Sequence, residues 1–157
     1  MTDGRKTQRY RVQSLSESGT LEIGARFGCR IDRPLCICLV GSLGVGKSVI
    51  ARGICEGLGV DEMVVSPSFI LCEEYDARIP VIHVDLYRLE HESEVDELGL
   101  YDRMNDAVVL VEWGDRSANL LDAADIVIRL SVSGQKERAI ELTCPETLGS
   151  ICEGLQP

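Results

Sequence analysis

The sequence predicts a three-layer α/β domain with a mainly parallel central sheet and an antiparallel hairpin near its C-terminal end. The first observation is an apolar stretch, PLCICLVG (34–41), followed by a glycine-rich turn and a segment with helical apolar spacing. The second is a set of further strand candidates, FILCEEY (69–75), PVIHV (80–84) and AVVLVEW (107–113). The third is the alternation of apolar and polar residues on both sides of SGQK (133–136), which is typical of an antiparallel hairpin.

Length and charge limit the organisation of the chain and its partners. The 157 residues suffice for a sizeable core, and we expect 1–157 to form a single domain. Residues 1–13 are predicted to be a loose, basic arm, and the order of residues 144–157 is left open. The net charge of −10 disfavours a phosphate backbone as a direct ligand, so we expect no DNA partner and no direct, stable contact with RNA.

Two expectations concern location. No apolar run of 18 residues occurs, so we expect no membrane-spanning segment. The polar start MTDGRKTQRYRVQ lacks the apolar core of a secretory signal, and we therefore expect a cytoplasmic protein.

Caps and apolar spacing locate the helices. Ser16 is expected to cap a helix over ESGTLEIGARFG that ends near Gly28. SVIARGICEGLG follows the glycine-rich turn and is predicted to be a helix that stops at Gly57 and Gly59. The sequence SEVD (93–96) resembles a capping box that starts a short helix.

The glycine-rich turn GSLGVGKS has the pattern G-x-x-x-x-G-K-S of a phosphate-binding loop, or P-loop. Gly41 and Gly46 allow the backbone to bend so that its N–H groups face phosphate oxygens. The helix that begins near Lys47 directs its positive dipole end at the same anion. Lys47 can reach the β- and γ-phosphates, and the Ser48 hydroxyl can ligate Mg²⁺. A nucleotide site is predicted here; a purely structural glycine turn is the alternative.

Two carboxylates end neighbouring strand candidates. Asp85 ends VIHVD and Glu112 ends VVLVE, and P-loop proteins hold Mg²⁺ with the loop hydroxyl and an acid at the end of a nearby strand. One acid is expected to ligate the metal, directly or through water, and the other to orient the attacking water. Position alone does not decide between them. The alternative for either acid is a pair with an arginine such as Arg88 or Arg116.

Three other features carry weaker predictions. SPSF (66–69) is a candidate switch loop in which the Ser66 or Ser68 hydroxyl senses the γ-phosphate, and a proline-containing turn is the alternative. Trp113 is expected in the core, with packing on the loop or presentation to a partner as the alternatives. His83 is expected to be a satisfied strand residue rather than a catalyst.

Taken together and in this order, GSLGVGKS, SPSFILCEEY, HVDLYRL, ELGL and VEW resemble the TsaE family over roughly residues 15 to 143. These are small bacterial P-loop ATPases needed for the threonylcarbamoyladenosine modification of tRNA. The resemblance implies a P-loop NTPase fold, with ATP and Mg²⁺ as cofactors. It also implies a TsaD–TsaB transferase pair as partners, which hold the tRNA and are reset by ATP hydrolysis between turnovers.

The resemblance assigns roles to matching positions. The loop residues implied to bind the nucleotide are Gly41, Leu43, Gly44, Val45, Gly46, Lys47 and Ser48. Ser48 and Glu112 are implied to hold Mg²⁺, and Asp85 is implied to be needed for hydrolysis while it remains a candidate metal ligand. On weaker local similarity, Glu17 and Arg138 are implied to contact the nucleotide. With Lys47, Asp85 and Glu112 are therefore the candidate catalytic residues.

The chain departs from the family at Ser42, where an acid is usual, but no required functional group is missing.

Two other classes of protein use the same kind of phosphate-binding loop. A small-molecule kinase would need an arginine-bearing lid and an acceptor pocket, whereas the arginines after residue 60 are scattered. A nucleotide-sensing adaptor would bind ATP without useful hydrolysis, and the two acids argue against it. We expect an ATPase that is weak alone and depends on its partners.

Overall fold

The computed structural model describes residues 4, 6–67 and 72–156. Its strands are β1 (Thr7–Ser14), β2 (Cys36–Val40), β3 (Cys72–Tyr75), β4 (Val81–Asp85), β5 (Val108–Glu112), β6 (Ile126–Val132) and β7 (Arg138–Pro145). These described strands form one mixed sheet in the order β1-β7-β6-β2-β5-β4-β3. The α/β class and the β6–β7 hairpin are confirmed. Of the strand candidate FILCEEY, the residues before Cys72 lie outside the described residues.

The sheet is less parallel than the sequence predicts. Within the described strands, β2–β5, β2–β6 and β4–β5 are parallel, while β1–β7, β6–β7 and β3–β4 are antiparallel. Antiparallel pairs therefore make up half of the pairings, so the prediction of a mainly parallel sheet is wrong. The reason is that β1 extends the C-terminal hairpin and β3 runs against β4, so both edges of the parallel centre are antiparallel.

The described residues near both ends of the chain are ordered. The predicted loose arm over 1–13 is wrong for residues 7–13, because residues 7–14 pair with β7 from Thr7 opposite Pro145 to Ser14 opposite Arg138, while residues 1–3 and 5 lie outside the described residues. Beyond β7, the described chain continues through a short helix in which Ile151 is buried. The assignment of the whole chain to one domain remains a prediction.

The helices in the described part are α1 (Glu17–Arg30), α2 (Lys47–Leu58), α3 (Ser93–Glu97), α4 (Leu100–Arg103), α5 (Ala118–Ala123) and α6 (Gly149–Cys152). The cap of α1 is confirmed, since Gly19 donates its N–H to Ser16 Oγ at 3.0 Å. The helix α2 ends at Gly59, which adopts a φ of 90°. None of these helices is both long and apolar enough to cross a bilayer.

The capping box predicted for α3 is wrong in its details. Ser93 is the first residue of the helix rather than its cap. Glu94 reaches back with Oε1, which accepts the backbone N–H groups of Glu90 at 3.3 Å and His91 at 3.0 Å. Within the described residues, the side chain that accepts backbone N–H groups at the entry to α3 is therefore that of Glu94.

Two apolar clusters cover the two faces of the sheet, which gives the three predicted layers. Successive strand residues alternate between the faces, so Ile37 packs with α1 and α2, whereas Cys38 packs with α3, α4 and α5. By the same alternation, Asp85 shares a face with Val81, and Glu112 shares it with Leu110. Both acids therefore lie on the face covered by α1 and α2.

The helices α1 and α2 are in contact through their backbones. Each helix carries two glycines four residues apart, Gly24 and Gly28 in α1 and Gly53 and Gly57 in α2. A Cβ on Gly53 would lie 2.3 Å from the carbonyl oxygen of Leu21. Since side chains larger than hydrogen do not fit, the glycines bring the start of α1 close to the loop that precedes α2.

Candidate functional site

The glycine-rich loop joins β2 to α2. Gly44 and Gly46 adopt φ values of 76° and 114°, which residues with a side chain rarely reach. Between them, Val45 is buried and donates its N–H to the Ser42 carbonyl at 3.2 Å. The loop therefore closes tightly at the N-terminus of α2, where backbone groups and the helix dipole favour an anion.

Lys47 is the first residue of α2 and is only 5% exposed. Its Nζ donates to the carbonyl oxygens of Gly41 at 2.6 Å and Ser42 at 2.8 Å. The ammonium also lies 3.9 Å from the centre of the Trp113 ring. Burial lowers the pKa of Lys47, and nearby carboxylates, Glu112 first among them, oppose that shift.

Asp85 and Glu112 are neighbours across the parallel pair β4–β5 and are 4% and 1% exposed. The Ser66 hydroxyl lies between them, 3.1 Å from Asp85 Oδ2 and 3.3 Å from Glu112 Oε2. The backbone N–H of Tyr87 donates to Asp85 Oδ1 at 2.9 Å. Ser66 therefore connects the predicted switch loop to both acids. Ser68 lies outside the described residues.

The two carboxyl groups differ in acidity. Burial raises the pKa of Asp85, and the nearby charge of Glu112 raises it further. Burial also acts to raise the pKa of Glu112, but the adjacent His83 and Ser48 outweigh it and leave this pKa below its usual value. Glu112 is therefore the group that stays ionised more readily.

His83 lies beside this pair and is 1% exposed. Its Nε2 is 3.6 Å from Glu112 Oε1. Within residues 6–67 and 72–156, neither ring nitrogen of His83 has a hydrogen-bond partner, and neither does Glu112 Oε1. The expectation that His83 is a satisfied strand residue is therefore wrong for the described part of the chain.

The oxygen donors at this place suit Mg²⁺. Asp85, Glu112 and the Ser48 hydroxyl line one cleft, and Glu112 Oε1 is a buried acceptor that lacks a described partner. Carboxylate and hydroxyl oxygens are donors that Mg²⁺ prefers. The described residues contain no group of three or more His, Cys, Asp or Glu that could hold a metal. In proteins that act on phosphates, Mg²⁺ is commonly held by one or two carboxylates together with substrate phosphates.

Two clefts flank the loop and share Gly44, Gly46 and Val49. The first encloses about 480 Å³ and is also lined by Leu43, Lys47, Ser48, Ser66, Asp85, Tyr87, Arg88, Glu112 and Trp113. The second encloses about 460 Å³ and is also lined by Ser16, Glu17, Ser18, Thr20, Val45, Gln135, Lys136 and Arg138. The structure thus brings the candidate site residues together around the loop, in two groups.

Glu17 and Arg138 belong to the second cleft, on the far side of the loop from the acids. Arg138 is the first residue of β7, and its Nε donates to the Val45 carbonyl at 2.9 Å. Glu17 is the first residue of α1 and lies 3.9 Å from Arg52 Nη2. Their placement beside the loop is a structural fact, and their contact with a nucleotide remains a prediction.

Several cleft residues are not predicted by the sequence patterns. Trp113 is half-buried at a φ of 59° and packs against the apolar cluster that contains Cys38, so the expected core position holds in part. Its ring also lies on Lys47, so the alternative of packing on the loop holds as well. The ring centre of Tyr87 lies 5.1 Å from that of Trp113. Tyr87 is two residues after Asp85 in the sequence, and this short spacing is the signal that could have identified it. Gln135 and Lys136 lie in the predicted hairpin turn, but nothing local places that turn at the loop.

Known proteins give an independent view of the chain. Residues 14–140 match the family model described as "Threonylcarbamoyl adenosine biosynthesis protein TsaE". The tRNA threonylcarbamoyladenosine biosynthesis protein TsaE of Haemophilus influenzae is 33% identical over 140 residues, which cover 85% of this chain and 88% of that protein. The protein of the same name from Mycobacterium bovis is 38% identical over 121 residues, covering 71% and 72%.

A solved structure agrees with the sequence relatives. The crystal structure of YdiB from Bacillus subtilis matches with a TM-score of 0.71 and 26% identity, covering 97% of each chain. The family match spans most of the chain, and the relatives exceed 30% identity over comparable lengths. The chain therefore belongs to the TsaE family.

Proposed function

We propose that this protein is the Mg²⁺-dependent ATPase component of the machinery that makes N6-threonylcarbamoyladenosine (t6A37) in tRNA. In this role it supports turnover of a TsaD–TsaB transferase pair in the cytoplasm. The pathway is supported by curated relatives named for tRNA threonylcarbamoyladenosine biosynthesis. The ATPase activity is supported above all by one observation: Lys47 and Ser48 of the loop share a cleft with the buried acids Asp85 and Glu112.

The nucleotide would lie across the loop. Backbone N–H groups from Leu43 to Ser48 would donate hydrogen bonds to phosphate oxygens, as the closed loop and the helix N-terminus favour. The remainder of the nucleotide would enter the second cleft, where Glu17 and Arg138 lie. Arg138 Nε donates to the Val45 carbonyl of the loop, and this bond would hold the guanidinium group beside a bound nucleotide.

Asp85 and Glu112 would act at the triphosphate of the bound nucleotide. Ser48 and Glu112 would hold Mg²⁺, with Asp85 beside them, and the bound ion supplies charge neutralisation at the β- and γ-phosphates. Asp85 would orient the attacking water, because its two oxygens are fixed by the Tyr87 N–H and the Ser66 hydroxyl. Ser66 contacts both acids, so a movement of its loop would change the carboxylate geometry.

The tRNA would be held by the partners. The net charge of −10 opposes a direct contact with the phosphate backbone, and it agrees with a protein that acts on a transferase rather than on RNA. A P-loop small-molecule kinase or a nucleotide-sensing adaptor would use the same loop differently. The kinase would transfer the γ-phosphate to a small acceptor, and the adaptor would bind ATP without useful hydrolysis.

The test is steady-state release of phosphate from ATP by the purified chain, alone, with its TsaD–TsaB pair, and with the pair plus tRNA. We expect slow Mg²⁺-dependent hydrolysis that rises sharply when the pair is added. The same mixture with the Lys47→Ala variant measures the hydrolysis due to the partners, which is subtracted as background. Phosphate transfer to a small acceptor would support the kinase instead, and ATP binding without turnover in every mixture would support the adaptor.

A further inference from the structure

The imidazole of His83 has no task in the proposed mechanism, although it lies next to the acids. His83 is 1% exposed and precedes Asp85 by two positions, so both side chains point to the face covered by α1 and α2. Across the parallel pair β4–β5, His83 is opposite Leu110, two positions before Glu112. The imidazole therefore lies on the interior side of the carboxylate pair.

Polar atoms without partners meet at this point. Among the described residues, the two ring nitrogens of His83 and Oε1 of Glu112 are buried and have no hydrogen-bond partner. The distance from Nε2 to Oε1 is 3.6 Å. Buried donors and acceptors are costly to leave unpaired, and a movement of less than about 1 Å would bring these two atoms to a charge-assisted hydrogen bond.

The other oxygen of Glu112 faces the opposite way. Oε2 is 3.3 Å from the Ser66 hydroxyl, which also lies 3.1 Å from Asp85. Ser66 belongs to an exposed loop that lines the cleft, whereas His83 lies in the core of the sheet. Glu112 is therefore placed between a donor in the cleft and a donor in the interior.

We infer that His83 is a positioning residue for Glu112: its Nε2–H donates to Oε1 and fixes the rotation of the carboxylate, so that Oε2 faces the cleft. This rests on the proposed function, because the orientation of Glu112 matters for turnover only if Glu112 holds the metal of a hydrolysing site. A neutral imidazole suits the task, since its ring is rigid and presents one N–H donor. Ligating carboxylates are commonly held by such hydrogen bonds from the protein side.

Two substitutions separate the donor from the bulk of the ring. His83→Leu removes the donor and keeps an apolar side chain, whereas His83→Gln keeps an N–H near the position of Nε2. The readouts are kcat and KM for ATP with the TsaD–TsaB pair, the Mg²⁺ concentration for half-maximal activity, and the affinity for a fluorescent ADP analogue with Mg²⁺ and with EDTA. The exposed His91 provides the matched control, His91→Leu, for which we expect no change.

For His83→Leu we expect kcat or Mg²⁺ affinity to fall by about 10- to 100-fold, as for other groups that orient a metal ligand. At saturating Mg²⁺ the KM for ATP should change little, and ADP affinity in EDTA should be unchanged. The gain in ADP affinity from Mg²⁺ should require a higher Mg²⁺ concentration. His83→Gln should retain most of the wild-type values. In the Glu112→Gln background, His83→Leu should cause no further loss, because both substitutions remove the same oriented carboxylate.

A folded His83→Leu variant with wild-type kcat and Mg²⁺ dependence would overturn the inference, as would additive losses in the double variant. Equal losses for Leu and Gln would show a purely structural role. If His83→Leu does not fold, His83→Phe, which keeps a ring and lacks the N–H donor, replaces it in both comparisons and is judged by the same outcomes. If the wild-type chain neither binds ADP nor hydrolyses ATP, the proposed function itself is refuted. If the wild-type chain turns over ATP normally, a negative result for the His83 variants counts against the inference alone.

Discussion

The two sides of α2 are built for different purposes. Along its length α2 packs on α1 so closely that a Cβ on Gly53 would lie 2.3 Å from the Leu21 carbonyl. At its start Ser48 lies beside Glu112, and Glu112 and the adjacent His83 keep buried polar atoms without described partners. Close packing contributes stability, whereas unpaired buried groups cost stability and serve chemistry. Substitutions on the two sides should therefore separate loss of fold from loss of activity.

The largest expected effect is that of Lys47→Ala on activity. Removal of the ammonium should lower ATP hydrolysis by about 100-fold or more, because the proposed mechanism uses this group to stabilise charge on the phosphates. Steady-state phosphate release and nucleotide binding measure the effect, with Lys6→Ala as an exposed control. Normal hydrolysis by Lys47→Ala would exclude the loop as the active site.

Substitutions of Asp85 and Glu112 should affect activity much more than stability. We expect Asp85→Asn and Glu112→Gln each to lose about 100-fold in kcat while nucleotide affinity changes far less. Burial and the charge of Glu112 raise the pKa of Asp85, so Asp85→Asn should leave the melting temperature equal or raise it. The neighbours of Glu112 lower its pKa and so favour its ionised form, and Glu112→Gln should therefore lower the melting temperature slightly. Calorimetry and hydrolysis assays on the same samples test both statements. Full turnover in either variant would make that acid structural.

The glycine contact should show the opposite behaviour. Gly53→Ala forces a methyl group against the α1 backbone, and overpacking of this kind costs about 2 to 3 kcal/mol. This outweighs the helical preference for alanine of about 1 kcal/mol. Denaturant unfolding should show the loss, and hydrolysis per folded molecule should be unchanged. A Cβ on Gly4 meets nothing within 4 Å, so Gly4→Ala is the control, and equal stability of the two variants would contradict the packing argument.

The smallest effect concerns the ends of the same two helices. Arg78 donates to the carbonyl oxygens of Ile31 at 2.5 Å, Gly28 at 3.2 Å and Gly57 at 3.5 Å, and so joins the C-terminal ends of α1 and α2. Arg78→Ala should lower the free energy of unfolding by about 1 kcal/mol, because these contacts are partly exposed. Arg33→Ala removes an exposed pair with Asp32 and should have almost no effect. Indistinguishable urea midpoints would show that the helix ends need no such link.

The sequence predicts well the features that are encoded locally. The loop 41–48 is recognisable from its glycines and its Lys-Ser ending, and Asp85 and Glu112 are recognisable because each ends a buried strand. The parallel pairing of β4 with β5 then brings the acids side by side. The cap of α1 is equally local, since Ser16 needs only the N–H of Gly19.

The missed features depend on distant partners. The edge strand β1 contains few apolar residues, and its stability comes from β7, with Arg11 and Glu141 in contact across 130 positions of the chain. The proximity of His83 to Glu112 follows from the register of two strands, which no local pattern specifies. The glycines of α1 and α2 are visible in the sequence, but only the helix crossing shows why they are needed.

The place of Trp113 has a practical consequence. The chain has a single tryptophan, and its indole lies 3.9 Å from the ammonium of Lys47. The fluorescence of this ring therefore reports on the surroundings of Lys47 in the loop, without a dye or an engineered label. A phosphate that draws the ammonium away from the indole should alter the fluorescence as the ligand arrives, so stopped-flow mixing could follow the arrival of each nucleotide in real time.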